Sequence, residues 1–201
     1  EIDALRAATY EIEEAFRGGE DTLAAWRARA DPHGVTNLAS TSTDYFNIEN
    51  IPHLHQAFQD YVFHPRLLAI VQEIVGGRVR LEQSDAHIRR DVLQPAERQA
   101  RRAAGTEPPV RENPGFHGGL RANLGRATPH LQHGLYHFSF VKTLTNLSDL
   151  SDQDDGGTLV IAGSHKINEA VDPEHIIEAA QKDMSLIHQV IAPAGSTLVF
   201  Y

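Results

Sequence analysis

The chain has 201 residues, a formal net charge of −9, no cysteine and 12 histidines, and 41% of it is hydrophobic. That composition allows a sizeable globular core, excludes disulfides and thiolate metal sites, and argues against a general nucleic-acid or anionic-membrane binder. No run approaches the length of a membrane span, the charged N-terminal stretch does not resemble a secretory signal, and the lack of cysteine fits a cytoplasmic protein.

Ile2, Leu5, Ile12 and Phe16 share one helical face, and Gly18-Gly19 ends that helix. Leu23 and Trp26 fall in a second short helix, before the turn signal Asp31-Pro32-His33-Gly34. A further helix is predicted near Asn50, with Pro52 in its first turn. Another starts at His64-Pro65, carries Leu67, Leu68, Val71, Ile74 and Val75, and stops at Gly76-Gly77. The first third is therefore expected to be mostly helical.

The remainder reads as mostly β. Strands are predicted over residues 79–90, 135–147, 157–161, 186–191 and 196–201, with a long polar loop over 91–114. Asp172-Pro173 should start a helix containing Ile176 and Ile177, because Asp caps and Pro suits the first helical position. Helices followed by strands predict one domain over residues 1–201, mainly β with flanking helices, of the cupin-like jelly-roll type. The chain opens inside an apparent helix and ends inside an apparent strand, so it is expected to be part of a longer protein.

Three segments carry the chemistry. Phe116-His117-Gly118-Gly119 comes first. An acidic turn, a glycine pair and a strand then lead into a loop, Asp154-Asp155-Gly156-Gly157-Thr158-Leu159-Val160-Ile161-Ala162-Gly163-Ser164-His165-Lys166. The third is Ala192-Pro193-Ala194-Gly195-Ser196-Thr197-Leu198-Val199-Phe200-Tyr201. In this order they resemble the phytanoyl-CoA dioxygenase family of non-haem iron(II), 2-oxoglutarate-dependent oxygenases. The resemblance runs from residues 64–81 through Tyr201. It implies a double-stranded β-helix, iron(II) and 2-oxoglutarate as cofactors, and His117 as a metal ligand. A second ligand His, and the Arg that binds 2-oxoglutarate, are expected beyond Tyr201. The family's pattern also turns Ser84, Ala86, Ile88 and Arg90 toward the pocket, with Ala86 and Arg90 at the cofactor, and turns Gln83, Asp85, His87 and Arg89 away. Ser164 and His165 take a supporting role in the loop.

The family's metal-binding motif is His-x-Asp, and Gly119 stands where the Asp should be. Two His and one carboxylate leave three positions open on iron. Glycine supplies no ligand atom, so one more position opens. Related halogenases with His-x-Gly or His-x-Ala fill it with chloride or bromide and return halogen, not hydroxyl, to a substrate carbon. The resemblance thus implies oxidative modification of an unactivated C–H bond of a small molecule, foremost chlorination, with halide beside Gly119. Other outcomes are a hydroxylase with water there, a substitute carboxylate from Asp85 or Glu112, and a non-catalytic small-molecule-binding relative.

Other candidates are weaker. His133 and His137, on one strand, would stand roughly 13 Å apart, too far for one ion. His53 and His55 diverge on a helix, and His175 and His188 precede the last strand. Arg89, Arg90, Arg98, Arg101 and Arg102 could clamp an anionic or phosphorylated substrate. A solvated surface loop beside Glu97, Glu107 and Glu112 is the better account of them, though Arg90, on the strand, could face the site. There is no phosphate-binding glycine loop and no serine nucleophile elbow.

Overall fold

The computed structural model describes residues 1–35, 37–41, 45–90, 95–105, 130–133, 135–138, 140–151, 155–166 and 173–200. They fall into two units, Glu1–Leu68 with Arg80–Glu107, and Ala69–Val79 with Pro108–Tyr201.

In the first unit, α1 (Ile2–Arg17) buries Leu5, Ala8, Ile12 and Ala15, the apolar stripe its sequence foretells. Gly19, at φ 93°, takes a backbone conformation that a side chain would resist, and turns the chain into α2 (Glu20–Ala30). Trp26 of α2 is buried. β1 (Asn37–Thr41), β2 (Tyr45–Glu49) and β3 (Asp85–Arg89) form an antiparallel sheet in that order. Phe46 pairs with Ile88 and Ile48 with Ala86, and all four side chains are buried. The Phe16 ring lies 5.4 Å from that of Phe46, so α1 covers this face of the sheet.

After β2 a single 3₁₀ turn, Ile51–His53, leads to α3 (Gln56–Val62). His55 caps α3, its Nδ1 accepting the Ala57 N–H at 3.0 Å. The Ile51 N–H donates to the Ser84 carbonyl at 3.3 Å, which ties this turn to the start of β3. α4 (Pro65–Val75) ends at Gly76, φ 78°.

Two expectations for this region change. β1 and β2 were not foreseen in a mostly helical third. Part of the predicted 91–114 loop is α5 (Pro95–Ala104). Its Ala, Arg, Gln and Glu are strong helix formers, and Pro95 suits the first position.

In the second unit, β4 (His130–Gln132) pairs with β5 (Leu135–His137), β6 (Lys142–Thr145) with β9 (Thr197–Phe200), and β7 (Leu159–Ile161) with β8 (Ile187–Gln189), all antiparallel. The predicted 135–147 strand is thus two strands, with different partners. α6 (Pro173–Lys182) starts at the foreseen proline and buries Ala180. Among the described residues no helix is long and apolar enough to cross a membrane.

Candidate functional site

β2 and β3 present two chemically opposite faces. Strand alternation sends Phe46, Ile48, Ala86 and Ile88 inward, and Tyr45, Asn47, Glu49, Asp85, His87 and Arg89 outward. Ala86 and Ile88 therefore do lie on one side, but the side they share is filled by Phe46 and Ile48. Arg90 follows the end of β3 and reaches α1. Its guanidinium holds the Glu13 carboxylate through both Nη atoms. Arg17 Nε donates to the same carboxylate at 2.8 Å. The Glu13 side chain is only 5% exposed against 41% for Arg90, so the carboxylate is the desolvated partner. The hydrogen bond from Arg90 holds the Glu13 carboxyl below its ordinary pKa, Arg17 adds to this, and burial opposes it.

On the outward face the Tyr45 hydroxyl lies 2.9 Å from His87 Nδ1, with the two rings stacked at 6.0 Å. The Arg89 guanidinium sits over the Tyr45 ring, 5.0 Å from its centre. Among the described residues Arg89 has no ion-pair partner. Neighbouring atoms desolvate the His87 ring and lower its pKa. Arg89 lowers it further, and Glu49 acts in the opposite sense. Asn47, directly opposite His87, has a buried Oδ1 without a hydrogen-bond partner among the described residues. Glu49 stands opposite Asp85, whose Oδ2 accepts from Gln83 Nε2 at 2.7 Å.

The glycine-rich segment lies in the second unit. Gly157, at φ 107°, leads into β7, and its α-carbon faces the Val190 carbonyl so closely that a Cβ would meet that oxygen at 2.8 Å. Gly163, φ 77°, turns the chain after β7, and Ser164–Lys166 closes a 3₁₀ turn through Lys166 N–H donating to Gly163 O at 3.0 Å. Ser164 is half-buried and His165 exposed. The Ala162 N–H donates to Leu186 O at 2.9 Å, which joins this turn to the chain entering β8.

His117, Gly119 and Glu112 lie outside the described residues, as does Tyr201. His133 sits in the turn between β4 and β5 with φ 52°, and His137 pairs in register with His130. His53 Nε2 bonds Asp31 Oδ1 at 3.2 Å, a structural pairing with a carboxylate that is 1% exposed. His175 and His188 are exposed. Among the described residues no three His, Asp or Glu side chains gather as a metal site. The Tyr45–His87–Arg89 cluster escaped the sequence reading, because β2 was not recognised. Its signal was the alternation of Tyr45-Phe46-Asn47-Ile48-Glu49. Comparison with protein-family models, with curated proteins and with solved structures finds no match.

Proposed function

We propose that this chain is an iron(II)- and 2-oxoglutarate-dependent oxidative enzyme on a jelly-roll framework. It would act on an unactivated C–H bond of a small molecule, in the cytoplasm. Chlorination is the reaction that Gly119 favours, and hydroxylation is the alternative. The observation that carries this is the order of three segments: His117-Gly118-Gly119, the glycine pair with its strand and Gly163-Ser164-His165-Lys166 loop, and the closing segment that contains β9 (Thr197–Phe200). The local geometry of the second and third, a short strand running into a 3₁₀ turn and a strand paired with β6, is consistent with that order.

Bound iron would supply the site for C–H cleavage, with dioxygen as the oxidant and 2-oxoglutarate as the donor of two electrons. His117 would be one protein ligand. The described residues add no ligand cluster, so no step is assigned to them. Gly119 would leave room for an anion, where an aspartate would both fill the position and repel one. Ala86 is packed against the core, and Arg90 would reach a 2-oxoglutarate carboxylate only by leaving Glu13. Those two cofactor assignments therefore require the sheet and α1 to part.

Equilibrium dialysis with iron(II), kept anaerobic, tests the metal assignment. The parent should bind iron stoichiometrically and His117→Ala should not. Equal binding by both would remove His117 as a ligand. Chloride should then alter the visible absorption of the protein loaded with iron and 2-oxoglutarate, and Gly119→Asp should abolish that response. A parent indifferent to chloride would leave hydroxylation as the reading.

A further inference from the structure

We infer that the outward face of β2 and β3 binds a small carboxylic acid whose far end is neutral or cationic. Arg89 and His87 receive the carboxylate, and Glu49 and Asp85 select what lies at the other end. This goes beyond the iron reading and does not depend on it.

The argument starts from Arg89. A guanidinium presents a planar fork of N–H donors that matches a carboxylate. Stacked over Tyr45 at 5.0 Å, Arg89 is held on the sheet surface and keeps that fork available. His87 supplies a second donor. A phenol is the stronger acid and an imidazole nitrogen the stronger acceptor, so the Tyr45 O–H donates to Nδ1 across 2.9 Å. The ring proton then sits on Nε2, the nitrogen not engaged by Tyr45. Desolvation and Arg89 both lower the ring's pKa, and the full positive charge of this end is that of Arg89. One charge and two donors suit a monocarboxylate.

The rest of the strip sets the other end. Two residues along from Tyr45 and Arg89, Asn47 Oδ1 is a buried acceptor without a donor among the described residues, an arrangement that costs free energy until a donor arrives. Four residues along, Glu49 and Asp85 face each other directly in register. That places the acidic pair about 13 Å from the Tyr45–Arg89 pair along the strands, and the long Arg89 and Glu49 side chains shorten the gap. A ligand lying along the strip meets positive charge at one end and negative charge at the other. A second carboxylate there would be repelled, and an amine attracted.

Three probes of equal chain length separate the possibilities: ω-aminohexanoate, hexanoate and hexanedioate. Each is titrated into the parent protein without metal or 2-oxoglutarate. The readouts are calorimetry and the ring-nitrogen NMR shifts of His87. We expect ω-aminohexanoate to bind about tenfold more tightly than hexanedioate, with hexanoate between them. Arg89→Gln should abolish binding of all three. Arg89→Lys, which keeps the charge and loses the fork, should weaken ω-aminohexanoate at least threefold and decides the matter if the Gln variant does not fold. Glu49→Gln should narrow the gap between the amine and the diacid. The inference is overturned if ω-aminohexanoate leaves the His87 ring signals unmoved, if the Arg89 variants bind it like the parent, or if amine and diacid bind equally. The iron experiments bear on none of these outcomes, so either proposal can fail alone.

Discussion

Among the described residues, eleven of the twelve buried apolar side chains belong to the unit built on α1 and the three-stranded sheet, and Ala180 alone belongs to the other. The strands of the second unit, β6 and β7, carry side chains that are half-buried throughout. In the first unit a helix with an apolar stripe lies across the inner face of β2 and β3, and Phe46, Ile48, Ala86 and Ile88 are all buried there. In the second, short strands pair two by two. The first unit also places its charged groups with the same economy. Glu13, inside, is held by two guanidinium groups, and the outward face concentrates Tyr45, His87 and Arg89.

The largest expected effect tests that contrast directly. Phe46 is 0% exposed, and Phe46→Ala should cost about 3–5 kcal/mol through lost transfer energy and a cavity. Leu198→Ala, at a half-buried position of β9, should cost less than half as much. Trp26, the chain's one tryptophan and buried in the first unit, reports the first change by fluorescence during urea unfolding. Hydrogen exchange along β6 and β9 reports the second. Similar costs at the two sites would remove the contrast between the two units.

Next comes Glu13. Its folded pKa is depressed, so its contribution is present above the ordinary carboxylate value and is lost as the pH falls through the folded value. Acid should therefore loosen the first unit from the ordinary glutamate range downward. Glu13→Gln should flatten that acid limb and cost about 1–3 kcal/mol near neutrality, discounted because both arginines remain partly in water. An unchanged acid limb in the variant would show that Glu13 is not the titrating group.

The smallest effect sharpens the description of the second unit. Gly157→Ala would force a side chain onto φ 107° and drive its Cβ to 2.8 Å from Val190 O, while Val190 N–H is already committed to Thr158 O at 2.9 Å. The expected loss is about 1–2 kcal/mol, seen as faster exchange in β7 and β8. No change in exchange there would show that the close approach at Gly157 does not constrain the strand pair.

Much of the architecture was legible from local signals. α1 follows from its apolar stripe and its glycine stop, α4 and α6 from a proline at the first position, β7 from a short apolar run between glycines, and β8 and β9 from short apolar runs on either side of Pro193-Ala194-Gly195. α5 reads as loop from its polarity and its proline, although its residues favour helix. β1 and β2 were missed because their alternation is brief and stands between helices. His117 and Gly119, which carry the functional proposal, are known from their motif alone.

By itself, then, the sequence determined several of the helices and strands, those whose caps, glycines and apolar spacing act within a few residues. It also determined the absence of thiol chemistry and the motif on which the oxidative reading rests. Only the tertiary structure decided which partner each side chain meets. Residue 90 follows residue 89, yet Arg90 reaches back to Glu13 of α1 while Arg89 lies over Tyr45 on the opposite face. Period-two alternation separates such neighbours, but the partners come from segments 77 and 42 residues distant for the Arg90–Glu13 and His87–Tyr45 pairs. Pairing register and helix placement bring those segments together, and both arise from burial summed over the whole unit.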